Sequence, residues 1–196
     1  MIKLWKKEFY NQFQEYAKLN LKMAEELTDK IVDLAKLITD VYRSGGKVLL
    51  MVNGGNGADA EHIAGELVGR VKNNVRPGLP AIAVTTNTSV LTAIGNDFGF
   101  EFLFHRQIDE FGKKGYVSIC FSSSGNSKNI IKAFELAKEK GIKTVSLTGG
   151  DGGVLAKTAD VNINIPTHTH PRIQEAHLTV GHMVCEYIEE ELYGKR

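Results

Sequence analysis

The sequence predicts an α/β protein, a three-layer α-β-α sandwich around a five-stranded parallel sheet with an N-terminal helical extension. From residue 47 onward, short and almost wholly apolar segments alternate with segments of helical period. Continuous apolar strands are typical of parallel sheets that helices cover on both faces. The first 44 residues keep a helical period throughout, which separates them from the alternating part.

The helical extension is predicted for residues 1–44, as one long helix or a helical pair, and residues 45–196 are predicted to form the sandwich. Leu27, Leu34 and Ile38 belong to one apolar stripe along the extension, and the glycines at 45 and 46 end it. This stripe is more than a small domain needs for its own core. We therefore expect the extension to pack between subunits of an oligomer.

The elements of the sandwich follow in strict alternation. Each strand is short and rich in β-branched or other apolar residues, and each helix carries apolar residues at a spacing of three and four. The strands are predicted at 47–52, 80–84, 116–121, 144–147 and 161–165, and the helices at 58–71, 88–94, 102–111, 129–140 and 172–193.

Composition excludes several classes of function. The chain of 196 residues carries a net charge of +1, which gives no general attraction to nucleic acid or to an anionic membrane. Its first residues lack the apolar core of a signal peptide, and no segment is long and apolar enough to cross a bilayer. The two cysteines, Cys120 and Cys185, are predicted to be buried thiols of a cytoplasmic protein rather than a disulfide or a metal site.

Residues 122–127, Ser-Ser-Ser-Gly-Asn-Ser, form the most informative motif, here called the serine turn. Four hydroxyls and several free backbone N–H groups gather there at a predicted helix N-terminus, which favours binding of a phosphate group. The turn contains no Lys or Arg and does not match the P-loop pattern. The turn therefore predicts a binding site for a small phosphate monoester and no nucleotide cofactor. The alternative is that it is a serine-rich helix cap that binds no ligand.

A second turn, Asn53-Gly54-Gly55-Asn56, follows the first strand. In open parallel sheets, ligands bind beyond the carboxyl ends of the strands, at the switch in strand order. Because both turns belong to that edge, they predict one composite pocket.

His62 and Glu66 lie four residues apart on the helix after this turn, so they share one helix face. Such a pair serves as metal ligands or as an acid–base pair, and a solvent-exposed pair without a function is the alternative. His177, in the last helix, is predicted to be packed or interfacial.

Five ordered motifs in one register resemble the sugar isomerase (SIS) domain superfamily, and within it the phosphoheptose isomerases. The resemblance extends over nearly the whole chain. It is carried by Asn53-Gly54-Gly55 with Asp59, His62 and Glu66, by the segment 95–100 (Gly-Asn-Asp-Phe-Gly-Phe), by the serine turn, by Leu147-Thr148-Gly149, and by Arg172-Ile173-Gln174-Glu175 with His182.

The resemblance implies a role for each matched position. Glu66 is implied as the catalytic base and His182 as the group that moves protons at the sugar oxygens. The family is typically tetrameric, with sites built between subunits. The implied substrate-binding residues are Asn53, Gly54, Gly55, Asn56, Asp97, Ser122, Ser123, Ser124, Ser127 and Gln174, and the residues that hold zinc in some members match His62, Glu66, Gln174 and His182.

Two features leave alternatives open. Gln174 and His182 are eight residues apart, about 12 Å along a regular helix, so a metal-bound and a metal-free site both remain possible from the residues alone. Asn56 stands where the family has a serine; it keeps a donor and an acceptor but is bulkier.

The leading hypothesis is an aldose–ketose isomerase that converts sedoheptulose 7-phosphate to D-glycero-D-manno-heptose 7-phosphate through an enediolate, for surface-polysaccharide heptose. A carboxylate can carry a proton between adjacent carbons, and a histidine suits proton transfer at oxygen near neutral pH. The alternatives are another phosphosugar isomerase on the same scaffold and a non-enzymatic regulator like the superfamily branch that binds the replication initiator. That branch lacks the acid–base pair, whereas this chain has Glu66 and His182.

Overall fold

A five-stranded, all-parallel sheet in the order β2-β1-β3-β4-β5 forms the centre of the protein. The computed structural model describes residues 2–72 and 75–194. This strand order is that of flavodoxin-like folds, with the switch between β1 and β3, and it confirms the predicted fold class. The strands are β1 Val48–Val52, β2 Ala81–Ala83, β3 Val117–Ser122, β4 Lys143–Gly149 and β5 Val161–Ile165.

Helices cover both faces of the sheet and complete the three layers. Helices α1, α2 and α7 share one buried apolar cluster with the sheet, and α3 to α6 share the other. The helices are α1 Ile2–Arg43, α2 Asn56–Val68, α3 Thr88–Asp97, α4 Leu103–Phe111, α5 Lys128–Glu139, α6 Gly153–Thr158 and α7 His170–Tyr193, with a 3₁₀ turn at Phe100–Phe102.

Strand β1 shows why the sandwich forms. All five of its residues are buried. Because side chains alternate across a strand, Val48, Leu50 and Val52 enter the cluster with α1, α2 and α7, whereas Leu49 and Met51 enter the other. A strand that is apolar on both faces can only be accommodated between two helical layers.

Helix α1 is a single helix of 42 residues rather than a helical pair. Its buried positions begin at Leu19. The helix contacts α7 from just before this point, where the Tyr16 and Thr179 hydroxyls are 2.7 Å apart. Earlier in the helix, Trp5, Phe9 and Phe13 are exposed. The boundary at residue 44 and the oligomerising role of the extension stay predictions.

The sequence-based elements differ from the structure mainly at short or glycine-rich segments. Helix α6 was not predicted, because the glycines at 149, 150, 152 and 153 suggest a turn. Both cysteines are free and buried, as predicted. Over residues 2–72 and 75–194, no helix has both the length and the apolar character that a membrane crossing needs.

Candidate active site

The two predicted ligand turns adjoin each other, because β1 and β3 are paired neighbours. Val52 lies opposite Phe121 in the register, so the chain leaves both strands at the same level of the carboxyl edge. The turn after β1 leads into α2, and the serine turn leads into α5. The predicted common edge for the two turns is thus confirmed.

The serine turn is a compact cradle. Ser122 is buried, and its hydroxyl lies 3.3 Å from that of Ser127. Ser127 occupies the N-cap of α5 without a side-chain capping bond, so its hydroxyl does not cap its own helix. Ser123 is half-buried and Ser124 exposed. Hydroxyls at the positive end of a helix dipole favour an anionic group.

Gly125 fixes the shape of this cradle. Its φ is +65°, and a Cβ added there would lie 1.9 Å from the carbonyl oxygen of Gly152. The Leu155 N–H donates to the Gly125 carbonyl at 2.9 Å, and the Val154 N–H donates to Asn126 Oδ1 at 3.1 Å. The unpredicted helix α6 therefore supports the serine turn from behind.

Asn129 joins the two turns and was missed by the sequence reasoning. Its amide donates to Asn53 Oδ1 and accepts from Asn53 Nδ2, each at 2.8 Å. The Ile130 N–H also donates to Asn129 Oδ1 at 3.0 Å, and Asn129 is 2% exposed. This reciprocal amide pair fixes Asn53, a predicted sugar contact, against the start of α5. The Ser-x-Asn spacing after the turn is the local signal that could have indicated it.

The remaining residues of the first turn begin α2. Gly54 has a φ of +62°, and Gly54 and Gly55 are exposed. Asn56 is 4% exposed, and its Oδ1 has no hydrogen-bond partner among the described residues. A buried acceptor without a donor is costly, so Asn56 has an acceptor available for a ligand hydroxyl.

A groove of about 450 Å³ opens beside this turn, within the range of small-molecule sites. Asn53 and Gly54 line it together with Glu61 and Thr85, whose hydroxyl donates to Glu61 Oε1 at 3.0 Å. Its far wall is aromatic and aliphatic, made of Leu91, Phe100, Leu103 and Phe104.

His62, Glu66 and His182 form a second group, here called the histidine–glutamate cluster. The Nε2 atoms of His62 and His182 are 2.9 Å apart, and His62 Nε2 lies 3.4 Å from Glu66 Oε1. One ligand atom from each of the three lies within 4.8 Å of the others. The pairing of residues 62 and 66 with residue 182, which the resemblance implied, is thus present in a single chain.

This cluster has the donor set of a metal site. Two imidazole nitrogens that face each other need either one proton between them or a shared cation, because two lone pairs at 2.9 Å repel. Two histidines and one carboxylate are a common catalytic zinc set. The residues present therefore fit a zinc ion.

Gln174 and Asp97 lie apart from this cluster along their own helices. Gln174 is exposed on α7, which is helical from His170 onward, so no irregular start brings it closer to His182. Asp97 is exposed at the end of α3 and accepts from Asn96 Nδ2 at 2.8 Å. Among the described residues, no hydrogen bond or ion pair of Asp97 reaches another predicted site residue.

Burial changes the protonation of groups beside the site. His177 is fully buried, as predicted, and burial lowers its pKa to about 4 although its bond to the Thr148 carbonyl opposes this shift. Burial, assisted by the charge of Glu66, raises the pKa of the Cys185 thiol to about 12. Burial also raises the pKa of Asp59, against the effect of His62. His177 and Cys185 are therefore neutral at pH 7 and act by packing.

Comparison with known proteins places the chain in a family. Residues 9–149 match the SIS domain family. A phosphoheptose isomerase from Sulfurimonas denitrificans is 52% identical over 170 residues, covering 87% of each chain. One from Aneurinibacillus thermoaerophilus is 50% identical over 182 residues, covering 91% of each.

A solved structure agrees with these sequence matches. The structure of a phosphoheptose isomerase from Neisseria gonorrhoeae superposes with a TM-score of 0.89 at 36% identity, and the match covers 95% of this chain and 99% of that one. The chain therefore belongs to the phosphoheptose isomerase family of SIS-domain proteins.

Proposed function

We propose that this protein is a cytoplasmic isomerase that converts sedoheptulose 7-phosphate to D-glycero-D-manno-heptose 7-phosphate, supplying heptose for surface polysaccharide. The observation that carries the proposal is that the Glu66 carboxylate and the His182 imidazole lie close together. The same chain also has the serine turn, which is suited to binding a phosphate group. Carboxylate, imidazole and phosphate anchor are the groups that an aldose–ketose isomerisation of a sugar phosphate requires.

In this mechanism, Glu66 takes the proton from the carbon beside the carbonyl and returns it to the adjacent carbon, through an enediolate. His182 donates a proton to one sugar oxygen and accepts one from the other, which an imidazole does readily near neutral pH. The serine turn holds the phosphate, so that binding energy far from the reacting carbons fixes their position.

The proposed zinc ligands within one chain are His62, Glu66 and His182. Gln174, the fourth ligand that the resemblance implies, lies about 12 Å along α7 from His182 and is not part of this cluster. With zinc bound, the ion would stabilise negative charge on the sugar oxygens as a Lewis acid, in place of proton transfer by His182, which would then be a ligand. The proposal is supported by the convergent donor atoms of the three clustered ligands. Metal analysis of the purified protein tests it: we expect about one zinc per chain, lost in His62→Ala, and a zinc-free active protein would contradict the proposal.

We propose further that the protein is a homotetramer in which neighbouring chains complete each site. Glu66 is the eleventh residue of α2, about 15 Å along the helix axis from its start at the carboxyl edge. The serine turn lies at that edge. An extended seven-carbon sugar phosphate spans less than this, so we expect Glu66 and His182 of one chain to act with the serine turn of another.

Subunit mixing tests the shared site. Glu66→Gln and His182→Ala subunits should not complement each other, because both residues belong to one cluster in one chain. Glu66→Gln subunits refolded together with Ser122→Ala/Ser124→Ala subunits should regain part of the activity. A fully active monomer would contradict the assembly.

The reaction itself is tested with a panel of substrates. The purified protein is incubated with sedoheptulose 7-phosphate and with pentose and hexose phosphates, and the products are separated as sugar phosphates. We expect turnover of the heptose phosphate far above the others. Preferred turnover of a shorter sugar would favour another phosphosugar isomerase, and no turnover of any would favour a binding protein.

A further inference from the structure

The buried guanidinium of Arg76 forms hydrogen bonds with the C-terminal end of helix α2. Its Nη2 donates to the Glu66 carbonyl at 2.7 Å, and its Nη1 donates to the carbonyls of Leu67 and Pro77, each at 2.9 Å. Its Nε donates to Glu189 Oε2 at 2.6 Å. The side chain is only 1% exposed. A planar guanidinium can span several acceptors in this way, and an ammonium cannot.

Glu189, on α7, forms an ion pair with the Arg76 guanidinium and so links it to that helix. Its carboxylate is 6% exposed and also accepts from the backbone N–H groups of Val71 and Lys72, at 3.0 and 2.7 Å. Glu189 lies seven residues after His182, two turns along the same helix face. The ion pair therefore joins the helix that carries Glu66 to the helix that carries His182.

The bonds of Arg76 fall where a helix is weakest. The last four carbonyls of an α-helix have no partner within the helix, and its last turn frays. Helix α2 ends at Val68, so the carbonyls of Glu66 and Leu67 belong to that turn. The Leu67 carbonyl also accepts from the Leu79 N–H at 3.0 Å, so the specific contribution of Arg76 is its bond to the Glu66 carbonyl. Loss of that bond would loosen the backbone that carries the Glu66 side chain.

We infer that Arg76, held by Glu189, is a positioning residue that fixes the Glu66 carboxylate against His182. The inference rests on the proposed role of Glu66 as base. Its consequence is specific: disturbing Arg76 slows proton transfer and leaves phosphate anchoring at the serine turn unchanged. A substitution far from the reacting atoms that misplaces a catalytic group by about 1 Å can cost a hundredfold in rate.

The test compares Arg76→Lys with Arg43→Lys. Arg43 also forms an ion pair with α7, to Glu191 at 2.6 Å, but it is half-exposed and lies on α1. The same substitution there disturbs a link to α7 without reaching α2. Both variants are assayed with sedoheptulose 7-phosphate at a temperature well below the measured Tm of each, so that the folded fraction is equal.

We expect kcat of Arg76→Lys to fall by roughly ten- to a hundredfold with KM changed less than twofold, and kcat of Arg43→Lys to remain at the wild-type value. An unchanged kcat in folded Arg76→Lys would overturn the inference, as would a loss that appears only in KM. The same loss of kcat in Arg43→Lys would also overturn it.

A second pair of variants covers the case in which Arg76→Lys does not fold. Glu189→Gln keeps one acceptor oxygen in place of two, so it loses the acceptor of one backbone N–H group and the charge that orients Arg76. Its control is Glu186→Gln, on the same helix, which loses an exposed pair with Lys72 at 2.6 Å. A reduced kcat in Glu189→Gln alone supports the inference, and equal kcat in both variants overturns it.

Glu66→Gln, measured in the same assay, separates the two hypotheses. If this variant is inactive and Arg76→Lys is fully active, the positioning role fails while the proposed base stands. If Glu66→Gln retains the wild-type rate, the proposed base itself is wrong.

Discussion

The serine turn and the histidine–glutamate cluster are built in opposite ways. The serine turn consists of six consecutive residues, and its shape is set by backbone bonds and by the close approach of Gly125 to Gly152. The cluster joins residues 116 positions or more apart across α2 and α7, so its geometry depends on helix packing. The proposed phosphate site therefore takes its hydroxyls from one short segment, which α6 supports, whereas the proposed reactive group takes its side chains from two helices. Changes to the two should affect different kinetic constants.

The largest effect is expected from Glu66→Gln. The amide keeps the shape of the side chain but cannot accept a proton from carbon, so kcat should fall by about 10²–10⁴-fold with KM nearly unchanged. Steady-state kinetics measure both. Glu110→Gln, the same change at an exposed position on α4, is the control, and a Glu66→Gln variant at the wild-type rate would remove Glu66 from the mechanism.

The serine turn should show the reverse pattern. Ser122→Ala/Ser124→Ala should weaken binding of the phosphorylated sugar, since each lost hydrogen bond to a charged group costs about 1.5–3 kcal/mol. Calorimetric titration with sedoheptulose 7-phosphate and with sedoheptulose measures the difference. Equal weakening for both sugars would contradict a phosphate site.

Asn129→Ala tests the connection between the two turns. The substitution leaves the Asn53 amide without its partner, which should destabilise the fold by about 1–3 kcal/mol and raise KM, because Asn53 is no longer fixed. Urea unfolding and kinetics of Asn129→Ala, Asn53→Ala and the double variant give the coupling energy. Additive effects of the two substitutions would mean that the amide pair does not act as a unit.

The smallest effect concerns His177, a buried residue of α7 beside the Thr148 carbonyl. Its pKa is lowered from 6.5 to about 4 by burial, so below pH 6.5 the unfolded state binds more protons and stability falls as the pH falls toward 4. Between pH 7.5 and pH 6, protonation of His177 in the unfolded state lowers the free energy of unfolding by about 1 kcal/mol. Urea unfolding of His177→Gln should lack that part of the pH dependence, and an identical dependence in both proteins would contradict the assignment.

The difference between a segment of consecutive residues and a cluster formed by two distant helices also explains which features the sequence could predict. The five strands and the position of the serine turn between β3 and α5 are local patterns, and both were confirmed; that the turn binds a phosphate stays a prediction. The cluster was indicated only by spacing on α2 and by family resemblance, since nothing local to His182 shows that α7 lies against α2. The roles of the individual site residues stay predictions.

Side-chain pairs between distant elements were not predictable from the chain. Arg76 and Glu189 are 113 residues apart, and Asn53 and Asn129 are 76 apart. Each is an ordinary polar residue until the fold buries it opposite its partner. Helix α6 was missed for a different reason: its glycine-rich start lowers helical propensity, and packing against the sheet through the buried Leu155 compensates.

Helix α1 has a consequence for how fast subunits could exchange. At 42 residues it is about 63 Å long, whereas a body of some 150 residues has a radius of gyration of only about 15 Å. The helix must therefore extend beyond this body. It still contacts α7 at Gln12, whose carbonyl accepts from Arg172 at 3.0 Å, and the exposed Trp5 lies before that contact, toward the free end. In the proposed tetramer the N-terminal part of each α1 would pack against neighbouring subunits. Dissociation of one subunit would then require all of these helix contacts to break. We therefore expect hybrids of two variants to form only after joint unfolding and refolding, and simple mixing of finished proteins to leave the parent assemblies intact.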